Sequence, residues 1–163
     1  MNFLLIILVL VVAALFWFAS QEGVYHLTSA PKVWGVNIEQ ATVDNKDWRR
    51  VLYTSDNAQL TVMSVPVGDQ LGWEVHPNND QYFRTESGTG EVQTSADSTT
   101  HEKYETTDMS KDHFVFVPKG IYHNVINKGN SELKFYTIYA PPHHPPDRVD
   151  RTKQDELRRE GKL

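Results

Sequence analysis

The stretch GDQLGWEVHPNNDQYFRTESGTG, Gly68–Gly90, carries a glutamate and a histidine two residues apart, Glu74 and His76. On a β-strand, residues i and i+2 project from the same face, so the two side chains would stand side by side. PNND reads as a turn, and QYFRTES as a strand running back. On that return strand Gln81, Phe83 and Thr85 share one face, and Tyr82, Arg84 and Glu86 the other. Gln81 lies close enough to the turn to face His76 across the hairpin.

Working outward, the chain reads as a succession of short strand-like runs. VWGVNI, RRVLYT and AQLTVMSVPVG precede the quoted stretch; GEVQTS, KYETT, HFVFVP, YHNVIN and ELKFYTIYA follow it. The punctuation is turn-forming: SGTG, SKD, PKG and NKGNS. Many short β-rich runs separated by Gly, Pro and Asn predict a sandwich or barrel, with no helical stripe between Val33 and Ala140. PPHHPP, after Ala140, cannot continue a sheet ladder because proline lacks the donor. The end, DRVDRTKQDELRREGKL, mixes both charge signs. It can form a short surface helix, and a solvated tail packed lightly on the barrel is the preferred expectation.

The totals bound the function. A chain of 163 residues with 39% hydrophobic and 23% charged residues suits a globular domain, and a net charge of −5 gives no reason to expect nucleic acid. The chain has no cysteine, which excludes disulfides, thiolate metal sites and a cysteine nucleophile. From Phe3 to Ala19 it is almost wholly apolar and uncharged, near the short end of what spans a bilayer. A cleaved signal peptide would need a basic flank before the run and small residues at its end; Trp17 and Phe18 stand there instead. An uncleaved membrane anchor over residues 1–20 is therefore expected. The nearest basic residue, Lys32, lies on its C-terminal side and leans towards a cytoplasmic barrel. A linker over 21–32, a barrel over 33–142 and a charged tail over 143–163 complete the expected organisation.

His123 opens the run HNVIN and shares its strand face with Val125 and Asn127. Two histidines, one carboxylate and one amide can thus converge, a nitrogen-and-oxygen shell suited to iron(II), manganese, nickel, cobalt or zinc. At these residues the chain resembles the cupins. The first cupin motif runs Gly, five residues, His-x-His, three or four residues, Glu, six residues, Gly. Here Gly68 is followed by five residues, Glu74-x-His76, four residues, Gln81, six residues and Gly88. The second motif matches at Pro118-x-Gly120, His123 and Asn127, with Asp112 standing where its first glycine would be. The resemblance covers about Val33 to Pro142 and is closest to the small single-domain, mannose-6-phosphate-isomerase-like type.

The resemblance implies a jelly-roll β-barrel with a divalent metal held by Glu74, His76, Gln81 and His123. Glu74 replaces the family's first histidine, and Gln81 its glutamate. Asp80 is the alternative for Gln81, disfavoured because adjacent strand residues point opposite ways. The implied function is metal-dependent isomerase or dioxygenase chemistry on a small oxygen-rich substrate, a sugar or an organic acid. A non-catalytic binding or structural module is the alternative, and a barrel that has lost its metal fits that reading. The partners expected are a small molecule and the membrane, with no nucleic acid; a homodimer stays open.

The remaining residues take plainer readings. His26, His101 and His113 are expected to be structural. His143 and His144 are expected at the surface, with a lid over the barrel mouth as the other option. Gly88, Gly90 and Gly120 are expected as turn glycines with positive φ. Trp34, Trp48, Phe83, Phe114, Phe116 and Phe135 are expected in the core.

Overall fold

The structure, a computed structural model, describes residues 33–96, 102 and 104–163. The chain divides into two units, Met1–Gly35 and Val36–Leu163. Of the first, only residues 33–35 are described, and they are irregular.

In the second unit, nine strands form two sheets among the described residues: β1 (Arg49–Thr54), β2 (Gln59–Val65), β3 (Asp80–Ser87), β4 (Thr89–Ser95), β5 (Glu105–Ser110), β6 (Phe114–Val117), β7 (Tyr122–Asn127), β8 (Leu133–Ala140) and β9 (Val149–Asp150). The larger sheet runs β6-β3-β8-β2-β1-β9 and the smaller β5-β4-β7, and all their pairings are antiparallel. This is the expected jelly roll.

Alternation places the core. Phe83 on β3, Met63 and Val65 on β2, Val115 and Val117 on β6 and Phe135 on β8 meet Val92, Met109 and Val125 of the smaller sheet. The same alternation turns Phe114 and Phe116 outward, 56% and 49% exposed, where they lie beside Tyr82. Both were expected in the core; period two assigns a residue to a face but does not say which face is covered. Trp34 is likewise 42% exposed, whereas Trp48, Phe83 and Phe135 are buried.

Two segments differ from the sequence reading because side chains cap helices. VWGVNI is not a strand. Asn37 accepts from the backbone of Gln40 and caps a helix, α1 (Ile38–Asp44). The C-terminal segment is not a lightly packed tail. Thr152 and Asp155 form a capping box that starts α2 (Lys153–Arg159), and Glu156 of that helix is buried.

Gly88 and Gly120 take positive φ, at 83° and 81°, as expected. Asp112, in the place of the motif's glycine, also takes a positive φ of 73°, which a short polar side chain tolerates. Gly90 does not. Its reason is space: a Cβ there would lie 2.4 Å from the Ile126 carbonyl oxygen and 2.6 Å from Leu133 Cδ2. Gly90→Ala is expected to destabilise the barrel by about 1–3 kcal/mol or more, read by urea unfolding, because a β7 backbone atom cannot rotate away.

Among the described residues no helix is long and apolar enough to cross a membrane. The transmembrane helix expected above is therefore not part of the described fold, and the expected membrane anchor and membrane localisation are corrected accordingly. The apolar run over 3–19 itself lies outside the described residues, as do His26 and His101.

Candidate metal centre

Glu74 and His76 do not sit on a hairpin strand. GWEVH is an irregular segment tied to the smaller sheet by one bridge, in which Glu74 and His123 exchange both backbone hydrogen bonds at 2.9 Å. That exchange sets the two side chains next to each other. The turn after Pro118 holds the next residue: Gly120 N donates to the His76 carbonyl at 2.9 Å. Gln81 comes from the opposite sheet, between Val117 and Tyr139, and is fully buried. Asp80 points away and accepts from Lys119 N at 3.0 Å, as strand parity predicts.

One ligand-capable atom from each of Glu74, His76 and His123 lies within 4.8 Å of the other two. Glu74 Oε1 is 3.4 Å from His123 Nε2 and 3.6 Å from His76 Nε2. Gln81 Oε1 is 2.9 Å from His123 Nε2, and its Nε2 donates to Thr137 Oγ1 at 3.2 Å. Ligand atoms that each stand about 2.0–2.2 Å from one ion are roughly 3–3.6 Å apart, so the set fits a single ion with little movement.

Three further observations agree with that fit. Glu74 Oε1 and both His76 ring nitrogens are buried without a hydrogen-bond partner, a state that costs free energy unless a ligand satisfies them. His123 Nδ1 lies 3.0 Å from the Ile121 carbonyl, the second contact that fixes a metal-facing Nε2. The donor set itself is two imidazoles and a carboxylate, a recognised pattern for first-row metals.

Burial pushes the Glu74 carboxyl up, but the close approach of the His123 and His76 imidazoles outweighs it and holds the group well below the usual carboxylate range. Glu74 therefore stays anionic at neutral pH. The Glu74 side chain keeps 26% exposure although its Oε1 is buried, while His76 and His123 are buried throughout.

His143 is exposed and lies over His76, with ring centroids 4.3 Å apart. His144 is buried against Tyr139. The surface position expected for both holds for His143 and fails for His144, which PPHHPP, following directly on β8, carries back against Tyr139. His113 Nδ1 lies 3.2 Å from the Asp108 carbonyl, and the residue lies outside the cluster. Asn127 ties the β7–β8 turn together, donating to Val65 O and Ser131 O at 2.8 Å.

A two-sheet jelly roll with a histidine and carboxylate cluster inside one end defines a small barrel protein built around a ligand site. The cupin domain family (Cupin_2) matches residues 61–139, and the chain belongs to the cupin family as a small single-domain member. It is similar to the uncharacterized protein YrkC of Bacillus subtilis, with 44% identity over 77% of this chain and 66% of that protein. It also resembles an uncharacterized protein of Acanthamoeba polyphaga mimivirus, with 34% identity over 76% of this chain and 75% of that one. Among solved structures, BH2720 from Bacillus halodurans is 41% identical, with a TM-score of 0.73, covering 80% of this chain and 97% of that chain.

Proposed function

We propose that this protein binds one divalent metal ion through Glu74, His76 and His123, with Gln81 Oε1 as a neutral fourth ligand. It acts there on a small oxygen-rich substrate, a sugar or an organic acid, as an isomerase or dioxygenase. The observation that carries the reading is the convergence of three ligand atoms, two of which have no protein partner. A bound ion would supply Lewis-acid polarisation of a substrate oxygen, or, if it is iron, activation of dioxygen. The chain's own contribution is orientation: the Glu74–His123 backbone bridge and the His123–Ile121 contact hold the donors in place.

Elemental analysis of the purified full chain tests the proposal. About one equivalent of iron, manganese, nickel, cobalt or zinc is expected, and Glu74→Gln or His123→Ala should lose it. Retention of no metal after growth and refolding with each of these ions overturns it. Gln81→Glu adds an anionic donor beside His123 and is expected to tighten metal binding on the order of tenfold, measured by competition with a chelator.

A second reading, a non-catalytic binding module, is favoured by one observation. Gln81 replaces an ionised donor and already has partners at both ends of its amide, His123 and Thr137.

A further inference from the structure

Tyr139 forms the wall beside the metal centre. Its ring meets His76 edge-on at 5.5 Å and His144 edge-on at 4.9 Å, and stacks with His143 at 5.4 Å. Tyr139 is wholly buried, His144 is 8% exposed and Arg49, on β1, is 1% exposed. Yet the Tyr139 hydroxyl, His144 Nε2 and Arg49 Nε have no hydrogen-bond partner.

The protons on these atoms follow from their surroundings. Arg148 Nη1 lies 3.0 Å from His144 Nδ1, and a guanidinium can only donate, so Nδ1 accepts. Burial, and then the charges of Arg49 and Arg148, hold the His144 ring down at about 2. The ring is neutral, and its one proton is on Nε2. The Tyr139 hydroxyl is a phenol, a donor as well as an acceptor, and it is buried. The Tyr139 hydroxyl makes no hydrogen bond of good geometry in the structure. Arg49 Nε always carries a proton. Three buried donor groups thus make no hydrogen bond.

The charge count points the same way. Glu74 is the sole anion of the shell, so a divalent ion would leave one positive charge uncompensated inside the barrel. The buried arginines add no spare anion, because Arg49 is paired with Glu156 and Arg148 with Asp150. An unpaired buried charge is costly, and a monoanion removes it.

We propose that the substrate is a small organic acid, not a neutral sugar, and that its carboxylate accepts hydrogen bonds from the Tyr139 hydroxyl and His144 Nε2 in the field of Arg49. This rests on the metal reading above. A monoanion matches the leftover charge; inorganic phosphate, carrying more, does not. The exposed side of His143 marks the entrance.

Calorimetry on the full chain tests both levels separately. Manganese(II) is titrated first. The manganese-loaded protein is then titrated with acetate, glycolate and pyruvate, and with ethylene glycol, glycerol and inorganic phosphate. At least one acid is expected to bind ten times or more tighter than either polyol and than phosphate. Tyr139→Phe should weaken that acid about tenfold and leave manganese affinity unchanged. Its melting temperature without ligand should be unchanged or higher, because the orphaned hydroxyl is gone. Polyols or phosphate binding as tightly as every acid, or Tyr139→Phe binding the acid like wild type, overturns the carboxylate inference while the metal reading stands. Failure of manganese, iron(II), nickel, cobalt and zinc alike to bind overturns both.

Discussion

Manganese(II) or nickel(II) is expected to raise the melting temperature of the wild-type chain by several degrees, and Glu74→Gln and His123→Ala should abolish the rise. A metal bound only by the folded state adds RT ln(1 + [metal]/Kd), about 2.7 kcal/mol at a hundred times Kd. In a domain of this size that corresponds to roughly 5–15 °C. Glu74→Gln keeps the side chain's size and removes the shell's only negative charge. Glu74→His restores the commoner family pattern and should keep the rise, since imidazole suits the same metals. Equal melts for wild type and both disabling variants under every metal would sink the metal centre and put the binding module first.

Without metal, the same carboxylate gives a pH signature. His123 and His76 hold it below its ordinary range, so its contribution is complete above the unfolded-state value and is lost as pH falls through the lower folded value. Any advantage of metal-free wild type over Glu74→Gln should therefore shrink on acidification, not on alkalinisation.

The strand alternation of QYFRTES was enough to turn Gln81 inward and Asp80 away, and the spacing of two motifs was enough to bring His76 and His123 into one cluster. The pairing that aligns Glu74 was not legible. GWEVH looks like half of a local hairpin, but its partner is His123, supplied by the other sheet motif. Exposed Phe114 and Phe116 show the same limit, because coverage of a face depends on distant elements. Local signals were also read in the wrong priority. The β-branched residues of VWGVNI outweighed Asn37, whose side chain caps α1. In KQDELRR, alternating charge is the usual mark of a solvated face, yet Glu156 is buried against a partner 107 positions away.

That buried glutamate carries a large stability effect. Glu156 pairs with the buried Arg49 and accepts from Trp48 Nε1 at 2.6 Å, and Arg148 approaches to 3.8 Å. The side chains of Arg49 and Glu156 are only 2% and 8% exposed. Glu156→Ala is expected to cost about 3–5 kcal/mol in urea unfolding, because it strands a guanidinium that water cannot reach. Much of a total stability near 5–15 kcal/mol would go with it. Glu156→Gln should cost less, since the amide oxygen still accepts from Trp48. Arg49→Met combined with Glu156→Leu should recover much of the loss, as a matched apolar pair removes both desolvated charges. A cost below about 1 kcal/mol for Glu156→Ala would mean that water or another acid compensates Arg49. If the large cost is found, α2 is part of the barrel's own closure: it holds Arg49 on the inner face beside Met63, where its Nη2 lies 4.0 Å from the sulfur.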